Sequence, residues 1–134
     1  MRKAATYRAS KLQKYIQLKE PQWEVSFISE IKGFGKFPSG RNVRPCVIAQ
    51  YSHGVVDASH QTMMRMTTTT KEGEQFIWYA HEKSRLEDDR KIKGRVIVSG
   101  FTKSEKLSWM NRLIMILESE FDPASQQFRT TAYE

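Results

Sequence analysis

The chain has 134 residues, of which 39% are hydrophobic, enough for one buried core and too few for a second large domain. No run approaches the roughly 18 to 20 apolar residues of a membrane-spanning helix, and no apolar signal segment follows the charged N-terminus, so we expect a cytoplasmic protein that does not enter a membrane. The net charge of +7 favours polyanionic partners, and the single cysteine, Cys46, excludes an internal disulfide and a cysteine-based zinc site.

Residues 1–20 are predicted to form a basic amphipathic helix. Small or apolar residues recur there at helical spacing, and no Gly or Pro interrupts the segment before Pro21. The opposite face is basic, and no acidic residue occurs before Glu20. We expect a solvated helix face, with contact to nucleic-acid phosphates as the alternative. The residues at helical spacing are Ala5, Ala9, Leu12 and Ile16.

Residues 21–100 have the pattern of an antiparallel β core. Apolar and polar residues alternate in it, or short apolar runs lie between polar turns. The basic, glycine-rich segment 32–41 predicts a loop, and the charge-dense segment 82–93 predicts a solvated loop or short helix. Strands are predicted at residues 23–31, 46–51, 55–56 and 95–99, and a β-hairpin joins residues 62–70 to residues 75–80.

Residues 101–122 are predicted to form a C-terminal amphipathic helix, followed by a polar tail at residues 123–134. Thr102 and Glu105 have the spacing of a capping box, and Pro123 ends the segment. The expected fold class is therefore α+β: a small antiparallel β-barrel or sheet, similar to an OB-fold, flanked by an N-terminal and a C-terminal helix in one domain. The apolar face of the predicted helix consists of Leu107, Met110, Leu113, Ile114, Leu117 and Phe121.

The segment 25–51 carries the most information about function. Its Lys32-Gly33-Phe34-Gly35 sequence has the form of the opening of the first ribonucleoprotein motif, in which glycines permit close approach and rings stack on unpaired bases. Residues 25–29 and 47–52 lie near the spacing of two cold-shock strands, and residues 72–77 are similar to the segment before the fourth strand of that family. Residues 23–99 thus resemble a cold-shock-type oligonucleotide-binding barrel. This resemblance implies a five-stranded fold that stacks single-stranded RNA or DNA.

The resemblance and the basic loop together predict a nucleic-acid-binding site. The chain departs from the family where Lys36 replaces an aromatic residue, Ile48 replaces a stacking Phe and Gln50 replaces a His. With fewer rings, we expect binding that is weaker and more electrostatic than that of the family. The predicted site residues are Phe27, Lys32, Phe34, Lys36, Arg41, Arg44 and Tyr51.

The sequence shows no pattern typical of a cofactor- or metal-dependent enzyme. It has no phosphate-binding Gly-Lys-Ser/Thr loop, no dinucleotide fingerprint and no nucleophile elbow. His53, His60 and His81 lack the partners that metal or acid–base chemistry needs. We expect no enzyme activity, no cofactor and no metal, and a metal-independent nuclease using one of these histidines is the third hypothesis.

The leading hypothesis is a non-enzymatic domain that binds single-stranded nucleic acid. The alternative is a protein-interaction module, such as an adaptor, inhibitor or assembly subunit. Its partner would contact the predicted helix within residues 102–121, or the aromatic strand that contains Trp78 and Tyr79.

Overall fold

The computed structural model describes residues 1–42, 44–52 and 59–134, with the backbone alone for residues 10–15, 52 and 59. Nine β-strands and one short 3₁₀ helix, Ser108–Arg112, lie in these ranges. The strands are β1 (Lys3–Gln17), β2 (Gln22–Gly33), β3 (Gly40–Asn42), β4 (Cys46–Ser52), β5 (Ser59–Thr70), β6 (Gln75–Leu86), β7 (Ile92–Phe101), β8 (Ile114–Asp122) and β9 (Gln127–Tyr133).

The strands form one closed antiparallel barrel. β1 pairs with β2 on one side and with β9 on the other, so the first and last strands close the sheet. The remaining strands pair with their neighbours in chain order. β3 and β4 both lie between β2 and β5, and each of them pairs with both of these strands. The expected α+β fold class is wrong, because the described residues are almost entirely β. The small antiparallel barrel is confirmed, with eight wall positions instead of the five strands of an OB-fold.

The predicted N-terminal helix is wrong, because residues 3–17 form β1. Ala5 and Ala9 are four residues apart, a spacing that both a helix and a strand place on one face. Tyr7 lies between them and faces the same barrel interior, which only a period of two produces. Pairing with two strands at once satisfies the backbone of β1 and overrides its helix propensity.

The predicted C-terminal helix is also wrong. Only Ser108–Arg112 is helical, and β8 begins at Ile114. Thr102 anchors a loop instead of capping a helix: its backbone N–H donates to Asn111 Oδ1 at 2.8 Å, and its hydroxyl donates to the Gln75 carbonyl at 2.7 Å. Along β8, Met115 and Leu117 face inward, while Ile114 is 73% exposed. This alternation is that of a strand.

The charge-dense segment 82–93 differs from its prediction as well. β6 continues through Leu86, and β7 starts at Ile92, so only a tight turn separates the two strands. Glu82 and Ser84 are buried because they continue the inward positions of β6. The predicted solvated loop is therefore limited to residues 87–91.

Other predicted strands are confirmed. Residues 23–31 lie in β2, residues 46–51 in β4 and residues 95–99 in β7. The predicted hairpin is β5–β6, and Gly73 adopts a φ of 85° in its turn, which favours glycine. The predicted strand at residues 55–56 lies outside the described residues.

One end of the barrel is closed by the segment between β7 and β8. Leu107 and Met110 are buried under the wall at 4% and 1% exposure. Trp109 packs edge-to-face on Phe37, with 5.2 Å between the ring centroids. The turns between β1 and β2, β6 and β7, and β8 and β9 lie at the opposite end. In the described part of the chain, no helix has the length and apolar character needed to cross a lipid bilayer.

Candidate ligand-binding cavity

The barrel encloses a cavity of about 280 Å³, and its wall is mostly apolar. Trp78, Val98 and Met115 line the part nearer the closed end. Ile92 and Phe121 are register partners and line the part toward the other end, where Phe121 also pairs with Phe128. The cavity therefore follows the barrel axis.

Small inward side chains leave this space open. An eight-strand barrel has an interior that ordinary side chains just fill. Here the inward positions of β1, β6 and β9 include alanines, whose single methyl groups reach less far than the side chains of a filled core. These alanines are Ala5, Ala9, Ala80 and Ala132.

A hydrogen-bonded chain of polar side chains crosses the interior near the closed end. The Trp78 indole N–H donates to Thr68 Oγ1 at 2.8 Å, and the Thr68 hydroxyl donates to Asn42 Oδ1 at 3.3 Å. Asn42 Nδ2 in turn donates to the Tyr7 hydroxyl oxygen at 3.4 Å. Burial raises the pKa of Tyr7 well above its usual range, so the phenol stays protonated. These hydrogen bonds satisfy polar groups that an apolar barrel would otherwise leave unpaired.

Glu82 places a carboxyl group on the same wall. It is 6% exposed, lines the cavity and accepts a hydrogen bond from Ser119 Oγ at 2.8 Å. The two residues are on β6 and β8, and Glu82 reaches across β7 at Gly94. A Cβ at Gly94 would lie 2.8 Å from Glu82 Oε1, so the glycine makes room for this contact. Desolvation raises the pKa of Glu82, and the Ser119 hydrogen bond opposes the shift only in part.

Thr130 adds a second polar group at this level of the barrel. It pairs directly with Ser119 on β8 and with Tyr7 on β1. Its hydroxyl oxygen is buried, lines the cavity region and has no hydrogen-bond partner among the described residues. Tyr7, Glu82 and Thr130 line the cavity, and Ser119 connects Glu82 to Thr130. We call these four residues the polar belt. The other polar residues that line the mostly apolar cavity are Gln50, His60, Thr62 and Ser84.

Cys46 and His60 also line the cavity. Burial raises the pKa of the Cys46 thiol to about 11, which keeps it protonated and unreactive at neutral pH. Cys46 is a free cysteine and is buried. His81 is exposed, with its Nε2 atom 3.0 Å from Gln61 Nε2, and His53 lies outside the described residues. No group of three or more potential metal ligands occurs in the ranges that the structure describes.

The predicted nucleic-acid-binding rings do not share one surface. Phe27 faces the cavity, whereas Tyr51 is exposed on the outside of β4. Phe34 follows β2 at the closed end, far from Tyr51 along the wall. The Lys3 and Lys32 ammonium groups lie 5.1 Å and 5.7 Å from its ring centroid. The structure therefore separates the three rings that the resemblance grouped together.

Several of the predicted cations do lie near each other at the closed end. Lys32 and Arg41 line a shallow groove of about 730 Å³ on the outer wall, together with Arg8 and Lys71. Glu30 is the one carboxylate among the residues lining this groove, and it pairs across the sheet with Arg8 and Arg41. Lys36 instead stacks on Trp109, with 4.3 Å between its Nζ and the ring centroid, and Arg44 is exposed. We call this outer surface the basic groove.

Sequence reasoning missed the cavity and Glu82. The signal for Glu82 was present, because Phe76, Trp78 and Ala80 alternate and the same period reaches position 82. The many charges after residue 81 hid this continuation. The alternation identifies an inward side chain, but it does not reveal that the inside is hollow.

Comparisons with known proteins identify the fold. No protein-family model matches the chain, and no curated protein matches it. A solved protein of unknown function from Clostridium acetobutylicum ATCC 824 superposes with a TM-score of 0.75 at 14% identity, over 98% of this chain and 95% of that one. A β-barrel-like protein from Acinetobacter baumannii AYE gives 0.72 at 10% identity, over 98% and 92% of the two chains.

A conserved protein of unknown function from Rhodopseudomonas palustris gives a TM-score of 0.71 at 10% identity, over 97% of this chain and 92% of that one. Since these identities are low, the likeness concerns the fold alone. The chain is thus a small closed antiparallel β-barrel with an internal cavity. It is similar in fold and in length to these three proteins.

Proposed function

We propose that this protein binds a small, mostly apolar organic molecule inside its barrel. The observation that carries the proposal is the cavity of about 280 Å³ with a mostly apolar wall. Ligand pockets are typically concave, apolar and equipped with a few polar groups, at volumes of roughly 300 to 1,000 Å³. This cavity is at the lower limit of that range, so its ligand is compact.

The size of the ligand follows from the volume. An apolar cavity of about 150 Å³ takes up one benzene molecule. By proportion, a cavity of about 280 Å³ accommodates roughly ten to twelve non-hydrogen atoms. Water is a poor substitute, since much of the wall offers it no hydrogen-bond partner.

The energetic cost of the empty space also supports a ligand. Cavities left by core truncations cost about 24 cal/mol per Å³, which scales to roughly 7 kcal/mol for a volume of this size. The net stability of a small domain is only about 5 to 15 kcal/mol. A void that large is a poor feature of a purely structural barrel, whereas it is expected of one that holds a ligand.

Thermal unfolding with compact apolar probes tests this function. Naphthalene and ethylbenzene fit the cavity, and binding to the folded state should raise the free energy of unfolding by about 2.7 kcal/mol at a probe concentration of 100 Kd. Ala80→Leu adds a larger side chain to the cavity wall and should remove the effect. Lys83→Leu places the same side chain on the exposed face of the same strand and should leave it intact.

The pattern across these variants is decisive. Probe binding that is equal in Ala80→Leu and Lys83→Leu would locate the site outside the barrel. No stabilisation of the native protein by either probe, and no probe signal in solution NMR, would contradict the proposed function.

A second candidate function is binding of single-stranded nucleic acid at the basic groove. It is favoured by the four cations Arg8, Lys32, Arg41 and Lys71 around one carboxylate. Phe34 is the predicted ring nearest to it, because Lys32 contacts both the groove and the ring. Binding here would depend mainly on phosphate contacts.

Binding of a labelled single-stranded oligonucleotide pool at two salt concentrations tests this candidate. Four phosphate contacts predict a slope of log K against log salt of roughly −3. Changing the four groove cations to Gln should abolish binding. The same substitution at four exposed cations elsewhere, Lys83, Arg95, Lys103 and Arg112, should preserve most of it. Equal losses in both variants would indicate a general charge effect and contradict a groove site.

A further inference from the structure

Glu82 is a carboxyl group that lines the cavity and forms no ion pair with the described residues. It is 6% exposed, and no lysine or arginine of the described chain forms an ion pair with it. The neighbouring cations Lys83 and Arg95 are exposed on the outer face of the wall. Ser119 supplies one hydrogen bond, and Gly94 provides the room for it. A purely apolar ligand would make no use of this buried carboxyl group.

We propose that the ligand is a compact amphipathic amine, whose ammonium group pairs with Glu82 while its apolar body fills the rest of the cavity. The inference rests on the proposed ligand-binding function. A charge-assisted hydrogen bond between an ammonium and a carboxylate is strong in a dry site, where few water dipoles screen it. The ligand cation supplies the ion-pair partner that the described lysines and arginines do not.

The other groups of the polar belt suit an ammonium group. An ammonium has three N–H donors and no acceptor, so it needs several acceptors close together. Thr130 Oγ1 is buried and has no hydrogen-bond partner among the described residues. Thr130 pairs across strands with Ser119, which contacts Glu82. Tyr7 is the other cross-strand partner of Thr130, and aromatic ring faces attract cations.

The apolar part of the cavity sets the shape of the ligand. Trp78, Val98 and Met115 line the closed end and offer no site for a second charge. The same carboxyl group disfavours anionic ligands, because a carboxylate placed beside Glu82 would repel it or force its protonation. Arylalkylamines of about ten non-hydrogen atoms match both the estimated size and the charge.

Four matched probes test the inference by isothermal titration calorimetry on the full chain at pH 7.5. They are 2-phenylethylamine, 2-phenylethanol, phenylacetate and ethylbenzene, which share one aromatic body. We expect the amine to bind the native protein at least roughly ten-fold more tightly than the alcohol, and phenylacetate to bind weakest. Glu82→Gln should remove the preference for the amine. Glu118→Gln removes a carboxylate from the outer face of β8 and should keep that preference.

The outcomes separate the two proposals. Binding of ethylbenzene with no preference for the amine would overturn the amine assignment and leave the cavity function standing. Failure of all four probes, together with naphthalene, would overturn both. If circular dichroism shows that Glu82→Gln does not fold, the order of affinities in the native protein decides by itself.

Discussion

Protonation of Glu82 couples the stability of the barrel to pH. Burial raises the pKa of this carboxyl above its ordinary value of 4.5, so the folded state holds the proton more tightly than the unfolded state does. Proton binding to Glu82 therefore stabilises the folded state fully at pH values below the ordinary pKa of 4.5, and this stabilisation is lost as the pH rises through the folded-state pKa. Between the two values the free energy of unfolding falls by up to about 1.4 kcal/mol per pH unit.

Glu82→Gln should therefore become more stable relative to the native protein as the pH rises. Gln keeps an oxygen that can accept the Ser119 hydrogen bond but does not ionise. Urea unfolding at pH 4 and pH 8 measures the change, and the difference between variant and native protein should be larger at pH 8. Glu118→Gln, on the exposed face of β8, is the control and should show no such trend. A constant difference at both pH values would mean that Glu82 is hydrated.

At the scale of single elements, β1 is where local preference and tertiary pairing disagree. Thr6 lies on the outer face of β1 and pairs with Lys32 on β2 and Thr131 on β9. Thr6→Pro removes a backbone N–H from a strand that has neighbours on both sides and should cost about 3 kcal/mol or more. The free energy of unfolding in urea measures this cost.

Thr6→Ala distinguishes a strand from a helix by the sign of its effect. Alanine is the better helix former, and threonine is the better strand former, so β1 predicts a loss of up to about 1 kcal/mol. A gain in stability on Thr6→Ala would contradict the assignment of residues 3–17 to a strand.

The predictability of each element depends on its sequence spacing. β2, β4, β7 and the β5–β6 hairpin were predicted, because their apolar residues alternate over short distances between clear turns. In β1 and β8 the most visible apolar pairs, such as Ala5 with Ala9 and Leu117 with Phe121, are four residues apart, and this spacing fits either period. In β8 the inward position between Leu117 and Phe121 is the polar Ser119, so the sequence lacks the apolar alternation that would indicate a strand there.

The site was less predictable than the strands. Its wall combines residues from β1 with residues from β9, which are more than 100 positions away in the chain. No local pattern reports that contact, and the vacancy left by small inward side chains depends on closure of the whole sheet. The predicted site residues Lys32 and Arg41 share the basic groove because they are on neighbouring strands. Phe27 points into the barrel and Tyr51 points out of it, because successive side chains of a strand alternate between the two faces of the sheet.

At the scale of the whole molecule, the barrel has an apolar inner wall and an outer wall that is also apolar in one region. Outward residues of β6, β7 and β8 form this region, and cross-strand pairs connect them: Tyr79 with Ser99, Ser99 with Ile114, and Ile97 with Ile116. Ile97 is 60% exposed, and Ile114 is 73% exposed. With the predicted C-terminal helix absent, the protein-partner hypothesis concerns this outer strip, since exposed apolar patches are typical of contact surfaces.

Substitutions at two consecutive positions of β7 test the inside and the outside of the wall together. Val96 is 1% exposed and faces the cavity, whereas its neighbour Ile97 faces out. Val96→Thr keeps the shape but buries a hydroxyl among apolar groups, so we expect a loss of about 1 to 3 kcal/mol in the free energy of unfolding. Ile97→Thr keeps a β-branched residue on an exposed face and should change the stability by less than about 0.5 kcal/mol.

Urea titrations at two protein concentrations check both values. Equal losses that do not depend on protein concentration would contradict the assignment of the two faces. A loss at Ile97 that grows with protein concentration would show that a second copy covers the outer strip, because only association makes stability depend on dilution.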